Sequence, residues 1–334
     1  MPAMPLNLPT LADLDAAAET VYAAMPPTPQ IPWPLLAARA GLEVWVKHEN
    51  HTPIGAFKVR GGLIYMDRFR AAHPGAAGIV TATRGNHGQS VAYAARAHGL
   101  EAVVVVPQGN SVEKNAAMRA FGAELIEHGE DFQEAREFSG RLAADRGLVL
   151  QGPYEEPLVH GVATYARELL MAAPHLDTIY VPIGMGSGIS GCIAARDALG
   201  LTTRIVGVVA EGAPSYALSF EAGHAVPTNR AETMADGLAC RVPDDDALAI
   251  VRAGAERIVT VDDTAIEAAM RAYFQDIHQI AEGAGAAPLA ALLQDREVGT
   301  GPYTRPGAAV GLILSGGNID RPLYTRVLAD GAAR

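Results

Sequence analysis

The sequence predicts an α/β protein made of two interwoven lobes, each a sandwich of helices around a mostly parallel sheet. Short β-branched runs alternate with alanine-rich segments of helical spacing along most of the chain, as expected when right-handed crossovers join parallel strands. A length of 334 residues suits two domains better than one. No segment has the composition of a linker, so we expect the two lobes to share one interwoven chain.

The individual elements follow from these runs in order. β-branched residues predict strands at 43–47, 78–82, 102–107, 124–128, 178–183, 204–210, 257–261 and 310–315. Helical spacing predicts helices at 88–98, 112–121, 131–146, 158–173, 188–199 and 264–282. The helix at 112–121 has Ser111 as its N-cap, Glu113 in its first turn and Gly122 at its end. The proline-rich stretch 25–34 predicts an irregular approach to the first strand.

Composition and charge exclude several classes of function. A net charge of -11 disfavours a nucleic-acid-binding protein, because phosphate affinity needs clustered Lys and Arg. Cys192 and Cys240 are too few for a disulfide framework or a thiolate metal site, and they predict a reducing cytoplasm. The uncharged stretch between Asp177 and Arg196 is long enough to suggest a membrane span, but Pro182 and several glycines interrupt it. We expect a strand, a glycine loop and a helix there instead.

Three glycine-rich loops follow predicted strands, which is where open α/β sheets place their ligands. They are TRGNHGQS (83–90), GMGSGISG (184–191) and SGGN (315–318). Lys58 lies in a further stretch, HTPIGAFKVRGG (51–62), between Phe57 and an expected glycine-flanked turn. A lysine normally keeps its ammonium in water. This apolar setting leaves two possibilities, a surface lysine on a turn or an amine held in a pocket for its chemistry.

The loop GMGSGISG is suited to bind a phosphate. Its small residues let backbone amides approach an anion, and the N-terminus of the next helix points to the same place. The loop lacks the Lys-Ser/Thr pair of a Walker motif. Gly186, Gly188 and Gly191 match the spacing G-x-G-x-x-G, so an NAD-dependent dehydrogenase is an alternative of a different class. Its ribose-binding acid would be Glu211, and this alternative gives Lys58 no role.

Five motifs, in this order along the chain, resemble a known family. GAFKVRGG, TRGNHGQS, PIGMGSGISG, ADGLA and LSGGN look like the motifs of fold-type II pyridoxal-phosphate enzymes, in particular the threonine/serine dehydratase and serine racemase branch. The resemblance runs from about Pro32 to Asp320. It implies a tryptophan synthase β-like fold, with a large cofactor-binding domain at 1–75 and 153–334 and a small mobile domain at 76–152.

The resemblance also implies a set of cofactor-binding residues. Lys58 would form the internal Schiff base with pyridoxal 5'-phosphate, which a partly desolvated amine can do. Phe57 would pack near the cofactor ring, and Asn86 would hydrogen-bond the 3'-oxygen. Ser315 would meet the pyridine nitrogen, where a hydroxyl leaves the ring largely unprotonated and favours prompt loss of a β-leaving group. The other implied residues are Gly184, Met185, Gly186, Ser187, Gly188 and Glu282.

The loop TRGNHGQS is expected to bind the substrate. Thr83, Asn86 and His87 would hold the substrate carboxylate, while Arg84 stands where the racemase branch has the serine that acts as its second acid/base. An arginine is always protonated and cannot accept a proton, so racemisation is disfavoured. A fixed charge at Arg84 would favour a substrate with an anionic side chain. No side-chain metal site is expected, because Glu211 has no second acid near it in the loop where the family holds a divalent cation. A monovalent cation held by backbone carbonyls there is left open.

The reaction implied by the resemblance is a β-elimination. The predicted enzyme is an ammonia-lyase of the threonine dehydratase type, which converts a β-hydroxy amino acid such as threonine or serine to a 2-keto acid and ammonia. threo-3-Hydroxyaspartate and phenylserine are alternative substrates, and a β-replacement synthase is an alternative reaction. We expect a cytoplasmic homodimer in amino-acid catabolism, with a small amino acid as substrate and no nucleic-acid or membrane partner.

Overall fold

Two separate sheets form the framework of the part of the chain that the computed structural model describes, residues 8–130 and 132–329. Their strands are β1 (Gln30–Pro32), β2 (Glu43–His48), β3 (Gly78–Ala82), β4 (Glu101–Val106), β5 (Glu124–Glu127), β6 (Val149–Leu150), β7 (Thr178–Pro182), β8 (Arg204–Ala210), β9 (Arg257–Val261) and β10 (Ala309–Leu314). The larger sheet has the order β1-β2-β10-β7-β8-β9, and the smaller has the order β5-β4-β3-β6.

Helices cover both sheets. They are α1 (Leu11–Ala24), α2 (Pro34–Ala40), α3 (Lys58–Ala72), α4 (Asn86–Ala97), α5 (Val112–Ala120), α6 (Phe132–Arg146), α7 (Glu156–Ala172), α8 (Ser187–Ala198), α9 (Ser215–Ala222), α10 (Asp245–Gly254), α11 (Asp263–Ile277), α12 (Gly283–Val298) and α13 (Arg321–Ala329). Short 3-10 helices lie at Glu49–His51, Asp236–Leu238 and Gly301–Thr304. Within residues 8–130 and 132–329, no helix has both the length and the apolar character needed to cross a bilayer.

All strand pairs are parallel except β1 with β2. The parallel strands of one sheet end at the same edge, so the loops after β7 and β10 lie together, as do those after β3 and β4. This topology confirms the mostly parallel α/β fold that the alternation of elements predicts. The three glycine-rich loops are therefore placed at strand ends that can face a common ligand.

Most predicted elements are present, and the differences have local causes. Each of the eight predicted strands is found within one residue at either end, whereas the short β1 and β6 are not predicted. The predicted helix 264–282 is wrong beyond Ile277, because His278 has a φ of 54° and ends α11 in a left-handed conformation. Ser111 caps α5 as expected, by accepting from the Lys114 amide. Asp131, in the predicted helix 131–146, lies outside the described residues, as do 1–7 and 330–334.

The expected glycine-flanked turn after Lys58 is wrong. Lys58 is the first residue of α3, and Gly61 and Gly62 lie inside this helix. A Cβ on Gly62 would lie 2.1 Å from Ser90 Oγ of α4, and one on Gly61 would lie 2.9 Å from the Leu158 carbonyl oxygen of α7. The two glycines therefore allow close contact between helices, although their local propensity opposes a helix.

The predicted small domain at 76–152 contains all four strands of the smaller sheet. Its apolar core, however, is shared with helices from outside that range: Leu63 and Met66 of α3 and Val21 of α1 join Ile79 and Val104 in one buried cluster. The boundaries between the two domains stay a prediction.

A buried cluster of charges fixes the first turn of α3. Arg60 Nε lies 2.7 Å from Glu49 Oε2, and Arg60 Nη1 lies 2.6 Å from Glu168 Oε1 on α7. Lys47 of β2 also pairs with Glu168, so two cations balance two anions away from solvent. Burial alone would lower the pKa of Arg60, but the two carboxylates raise it above its usual value. The cluster ties the helix that begins at Lys58 to β2 and α7.

Replacing Arg60 should destabilise the whole fold. The substitution Arg60→Met would leave buried carboxylates without their main partner, which costs about 3–5 kcal/mol in free energy of unfolding. Arg68→Met, on the same helix, removes an exposed pair with Glu156 and a hydrogen bond to His160 Nδ1 and should cost less, about 1–2 kcal/mol. Urea unfolding followed by circular dichroism measures both. A loss at Arg60 as small as that at Arg68 would contradict the role assigned to the buried cluster.

Candidate active site

A cavity of about 450 Å³ lies where the loops after β3, β7 and β10 meet. Both sheets therefore contribute to its walls. All the site residues predicted from the sequence line it: Phe57, Lys58, Thr83, Arg84, Asn86, His87, Gly184, Met185, Gly186, Ser187, Gly188, Glu282 and Ser315. The fold brings these residues together from distant parts of the chain, while their individual roles stay predictions.

Lys58 directs its amine toward the start of α8. Its Nζ lies 3.0 Å from Ser187 Oγ and 4.8 Å from the centre of the Phe57 ring. Ser90 Oγ of α4 donates to the Lys58 carbonyl oxygen at 2.6 Å, which holds the backbone in place. Loss of hydration in the cavity lowers the pKa of Lys58 to about 8. A substantial fraction of the amine is therefore uncharged at slightly alkaline pH, as a nucleophilic or basic amine requires.

The loop Gly184–Gly188 forms a cradle of backbone amides at the N-terminus of α8. Among the described residues, these amides have no backbone acceptor. Gly186 has a φ of 100°, a conformation that favours glycine. A Cβ on Gly184 would lie 2.2 Å from the carbonyl oxygen of Gly237, so no larger residue fits there. Free amides at a helix N-terminus are suited to bind a phosphate group.

Glu282 is a buried carboxylate at the start of α12 that faces polar groups from the other sheet's helices. Asn86 Nδ2 donates to Glu282 Oε1 at 2.7 Å. Lys114 Nζ lies 3.5 Å from Glu282 Oε2 and 2.5 Å from Asp236 Oδ2. Burial raises the pKa of Glu282 to about 7, and the charge of Lys114 opposes this rise. Burial alone would lower the pKa of Lys114, but Glu282 and Asp236 raise it above its usual value.

His87 and Arg84 differ sharply in their surroundings. His87 is buried, and its Nε2 has no hydrogen-bond partner within the described ranges. Burial and the nearby charge of Lys58 lower the pKa of His87 to about 3, so its imidazole is neutral at physiological pH. Arg84 is exposed on the rim of the cavity. The same loop thus carries a buried, neutral imidazole at His87 and an exposed guanidinium at Arg84.

Ser315 and Thr83 occupy the buried ends of β10 and β3. The Ser315 carbonyl oxygen accepts from the Phe57 amide at 2.9 Å, which places Ser315 beside the first turn of α3. Thr83 Oγ1 accepts from the Gly85 amide at 3.1 Å and shapes the turn into α4. Both hydroxyl-bearing side chains are buried residues of the cavity wall.

The cavity also contains residues that the sequence analysis does not single out. They include Lys114, Phe132, Arg136, Asp236 and Arg241. Asp236 lies in the motif ADGLA, so its position alone could have indicated the site. Lys114 lies in the capped helix α5, and only its contacts across the cavity reveal its connection to Glu282. In the part of the chain that the structure describes, no group of three or more His, Cys, Asp or Glu side chains could hold a metal ion.

Residues 21–316 match the protein family described as pyridoxal-phosphate dependent enzyme. The chain belongs to this family. An L-threonine ammonia-lyase of Geobacter sulfurreducens is 35% identical over 294 residues, which cover 88% of this chain and 71% of that protein. An L-threo-3-hydroxyaspartate ammonia-lyase of Saccharomyces cerevisiae is 30% identical, with 96% of this chain and 97% of that protein covered. The structure of maize serine racemase superposes with a TM-score of 0.88 at 29% identity, covering 97% of this chain and 98% of the racemase.

These similarities confirm the fold-type II pyridoxal-phosphate assignment and the ammonia-lyase class of the enzyme. The cavity itself fits the cofactor, because an amide cradle for a phosphate lies beside a lysine with a lowered pKa. The glycine spacing that suggested an NAD-dependent dehydrogenase belongs to this cradle. That alternative receives no support.

The reaction of Lys58 with the cofactor aldehyde should depend on pH. Only the neutral amine attacks an aldehyde, so the rate of attachment to cofactor-free protein should rise with pH and level off above about 8. Absorbance after rapid mixing with pyridoxal 5'-phosphate measures this rate. N-acetyl-lysine methyl amide, with the usual pKa, should continue to rise to about pH 10. Lys58→Ala should show no attachment trapped by borohydride, and a covalent adduct in that variant would refute the assignment.

Proposed function

We propose that this enzyme eliminates the β-hydroxyl group of a small β-hydroxy amino acid and releases a 2-keto acid and ammonia. The observation that carries the proposal is the Lys58 amine, with its lowered pKa, beside an amide cradle in a cavity that also contains Ser315. The names of the relatives, threonine and threo-3-hydroxyaspartate ammonia-lyase, support the same reaction.

Each residue has a distinct part in this proposal. The bound cofactor supplies an electron-withdrawing ring that acidifies the α-carbon of the substrate. Lys58 would hold the cofactor through its amine and, as a free neutral amine, would take the α-proton of the substrate. The amides of 184–188 hold the phosphate. Thr83, the backbone amide of Asn86 and the neutral imidazole of His87 bind the substrate carboxylate without adding charge to the cavity.

Ser315 is proposed to meet the pyridine nitrogen of the cofactor. A hydroxyl donates a hydrogen bond to this nitrogen but does not protonate it, so the ring remains a weaker sink for electrons. Such a ring would favour prompt loss of the β-hydroxyl group, as water once protonated, over a long-lived negative charge at the α-carbon. Phe57 packs beside the amine of Lys58 at 4.8 Å and shields this face from water. Closure of the smaller-sheet half over the cavity would exclude water further.

The charges on the cavity rim favour one alternative substrate, threo-3-hydroxyaspartate. Arg84, Arg136 and Arg241 line the cavity, and no carboxylate among the described residues pairs with them. The acids of the cavity, Asp236 and Glu282, already face a lysine. A guanidinium can bind a second carboxylate with two parallel hydrogen bonds. Because the exposed arginines are also satisfied by water, threonine and serine remain the leading substrates.

Substitution of the rim arginine in the substrate loop should separate these substrates. If Arg84 binds a second carboxylate, Arg84→Ser should lower kcat/KM for threo-3-hydroxyaspartate by roughly tenfold or more and spare threonine. Steady-state assays of 2-keto acid formation with threonine, phenylserine and threo-3-hydroxyaspartate measure this. Arg136→Ser tests the second rim cation in the same assay. An equal loss on all three substrates would mean that Arg84 holds the loop and does not contact the substrate.

We also propose that the enzyme acts in the cytoplasm as a homodimer. The two cysteines, Cys192 and Cys240, are buried free thiols, which suits a reducing compartment. The homodimer follows from the family resemblance. Light scattering coupled to size-exclusion chromatography tests the oligomeric state, and a monomeric mass for active protein would refute it.

A further inference from the structure

A series of hydrogen bonds fixes the side-chain amide of Asn86, the residue expected at the 3'-oxygen of the cofactor. The series starts at the backbone carbonyl oxygen of Ile54, which accepts from Asn318 Nδ2 at 2.8 Å. The same nitrogen donates to Asn86 Oδ1 at 2.9 Å. Because a carbonyl oxygen can only accept, the amino group of Asn318 must face Ile54, and Asn86 must present its oxygen to Asn318.

The opposite side of the Asn86 amide therefore carries its two N–H groups. One of them donates to Glu282 Oε1 at 2.7 Å, which leaves the second for a ligand in the cavity. An ionised Glu282 can only accept, so it enforces this orientation of Asn86. A protonated carboxyl group could also donate, and the orientation would then be less strictly determined. The ionisation state of Glu282 thus decides how strictly the second N–H of Asn86 is oriented toward a ligand in the cavity.

The charges around Glu282 come from both halves of the molecule. Lys114 of α5 faces it from the smaller-sheet half at 3.5 Å, and Asp236 of the larger-sheet half faces the same lysine at 2.5 Å. The other titratable groups of the cavity are Lys58, His87 and Cys240, together with the exposed rim arginines. Lys114 acts most strongly of these groups on the ionisation of Glu282: its charge favours the carboxylate, whereas the charge of Asp236 disfavours it.

Lys114 is held in one position by its surroundings. It is 6% exposed, and a Cβ on Gly85 would lie 2.7 Å from Lys114 Cδ. The lysine stem therefore fills the space that the missing side chain of Gly85 leaves. A cation fixed in this way stabilises a carboxylate that burial alone would protonate.

We propose that Lys114, anchored by Asp236, is a positioning residue that keeps Glu282 ionised and thereby directs the free N–H of Asn86 at the 3'-oxygen of the cofactor. The inference rests on the proposed function, because it assumes that pyridoxal 5'-phosphate occupies the cavity. Lys114 itself need not touch the cofactor.

The experiment measures the affinity of cofactor-free protein for pyridoxine 5'-phosphate between pH 6 and pH 9.5, by fluorescence of the ligand. This probe has the phosphate and the 3'-oxygen but no aldehyde, so the titration of Lys58 as a nucleophile does not enter. In Lys114→Met the pKa of Glu282 should rise by about one unit or more. Because the wild-type pKa is about 7, a rise of one unit lowers the ionised fraction of Glu282 at pH 7 from about one half to about one tenth. Affinity should therefore be about fivefold or more weaker than wild type near pH 7 and recover toward wild type at alkaline pH.

Two variants serve as controls. Lys114→Arg keeps the cation and should retain most of the wild-type pH profile. Arg119→Met removes an exposed cation from the same helix, which pairs with Glu127 away from the cavity, and should leave the profile unchanged. A weaker affinity for Lys114→Met at every pH, without a shift of its midpoint, would show a merely structural role and overturn the proposal. An unchanged profile would overturn it as well.

A double-mutant cycle tests whether the effect passes through Asn86. In an Asn86→Ala background, Lys114→Met should no longer shift the pH profile, because the directed N–H is absent. An equal shift in both backgrounds would refute the proposed path. Uptake of pyridoxal 5'-phosphate by the wild type is measured in parallel. If the wild type does not take up this cofactor, the proposed function fails, whereas normal uptake with an unshifted Lys114→Met profile refutes only the role of Lys114.

Discussion

Arg60 donates to two buried carboxylates, and the position of the Lys58 amine depends on this arrangement. Glu49 follows β2, Glu168 lies on α7, and Arg60 sits two residues after Lys58 in the first turn of α3. Charges can be buried only when they are paired and hydrogen-bonded, so these elements cannot shift independently. The helix that carries Lys58 is thereby held in one position against the larger sheet. The amide cradle 184–188 follows β7 of the same sheet.

Close contact between helices also fixes the position of α3. The Cα atoms of Gly61 and Gly62 lie against α7 and α4, where a Cβ would collide with a backbone oxygen or a serine hydroxyl. The same approach lets Ser90 reach the carbonyl oxygen of Lys58. Glycine weakens a helix locally, but here it permits packing that no other residue allows. This packing offsets the free-energy cost of glycine within a helix, and it holds the Lys58 amine at the start of α8.

Burial sets the protonation states of the cavity. It lowers the pKa of Lys58 and of His87 and raises that of Glu282, so burial favours the uncharged form of all three, and at Glu282 the charge of Lys114 opposes this effect. Lys114 is the exception, since two carboxylates keep it charged. Lys114 and the three rim arginines outnumber the acids Asp236 and Glu282, so the cavity suits a ligand that brings a phosphate and a carboxylate. The contacts that reach Glu282 also join the two sheets, because Asn86 and Lys114 belong to one half and Asp236 and Glu282 to the other.

The sequence by itself determined those features that local chemistry dictates. β-branched runs predicted the strands, and the glycine-rich loops predicted the edge of the sheet at which a ligand binds. The motif around Lys58 predicted that this lysine lies in the cavity. Each of these predictions depends on residues within a few positions of one another. Only the tertiary structure decided that Gly61 and Gly62 lie inside a helix, that Arg84 points to the rim, and that Asn86 meets Glu282 196 positions away. Those outcomes depend on which helices approach each other and on which charges become buried together. Such long-range packing overrides local propensity and leaves no periodic signal in the sequence.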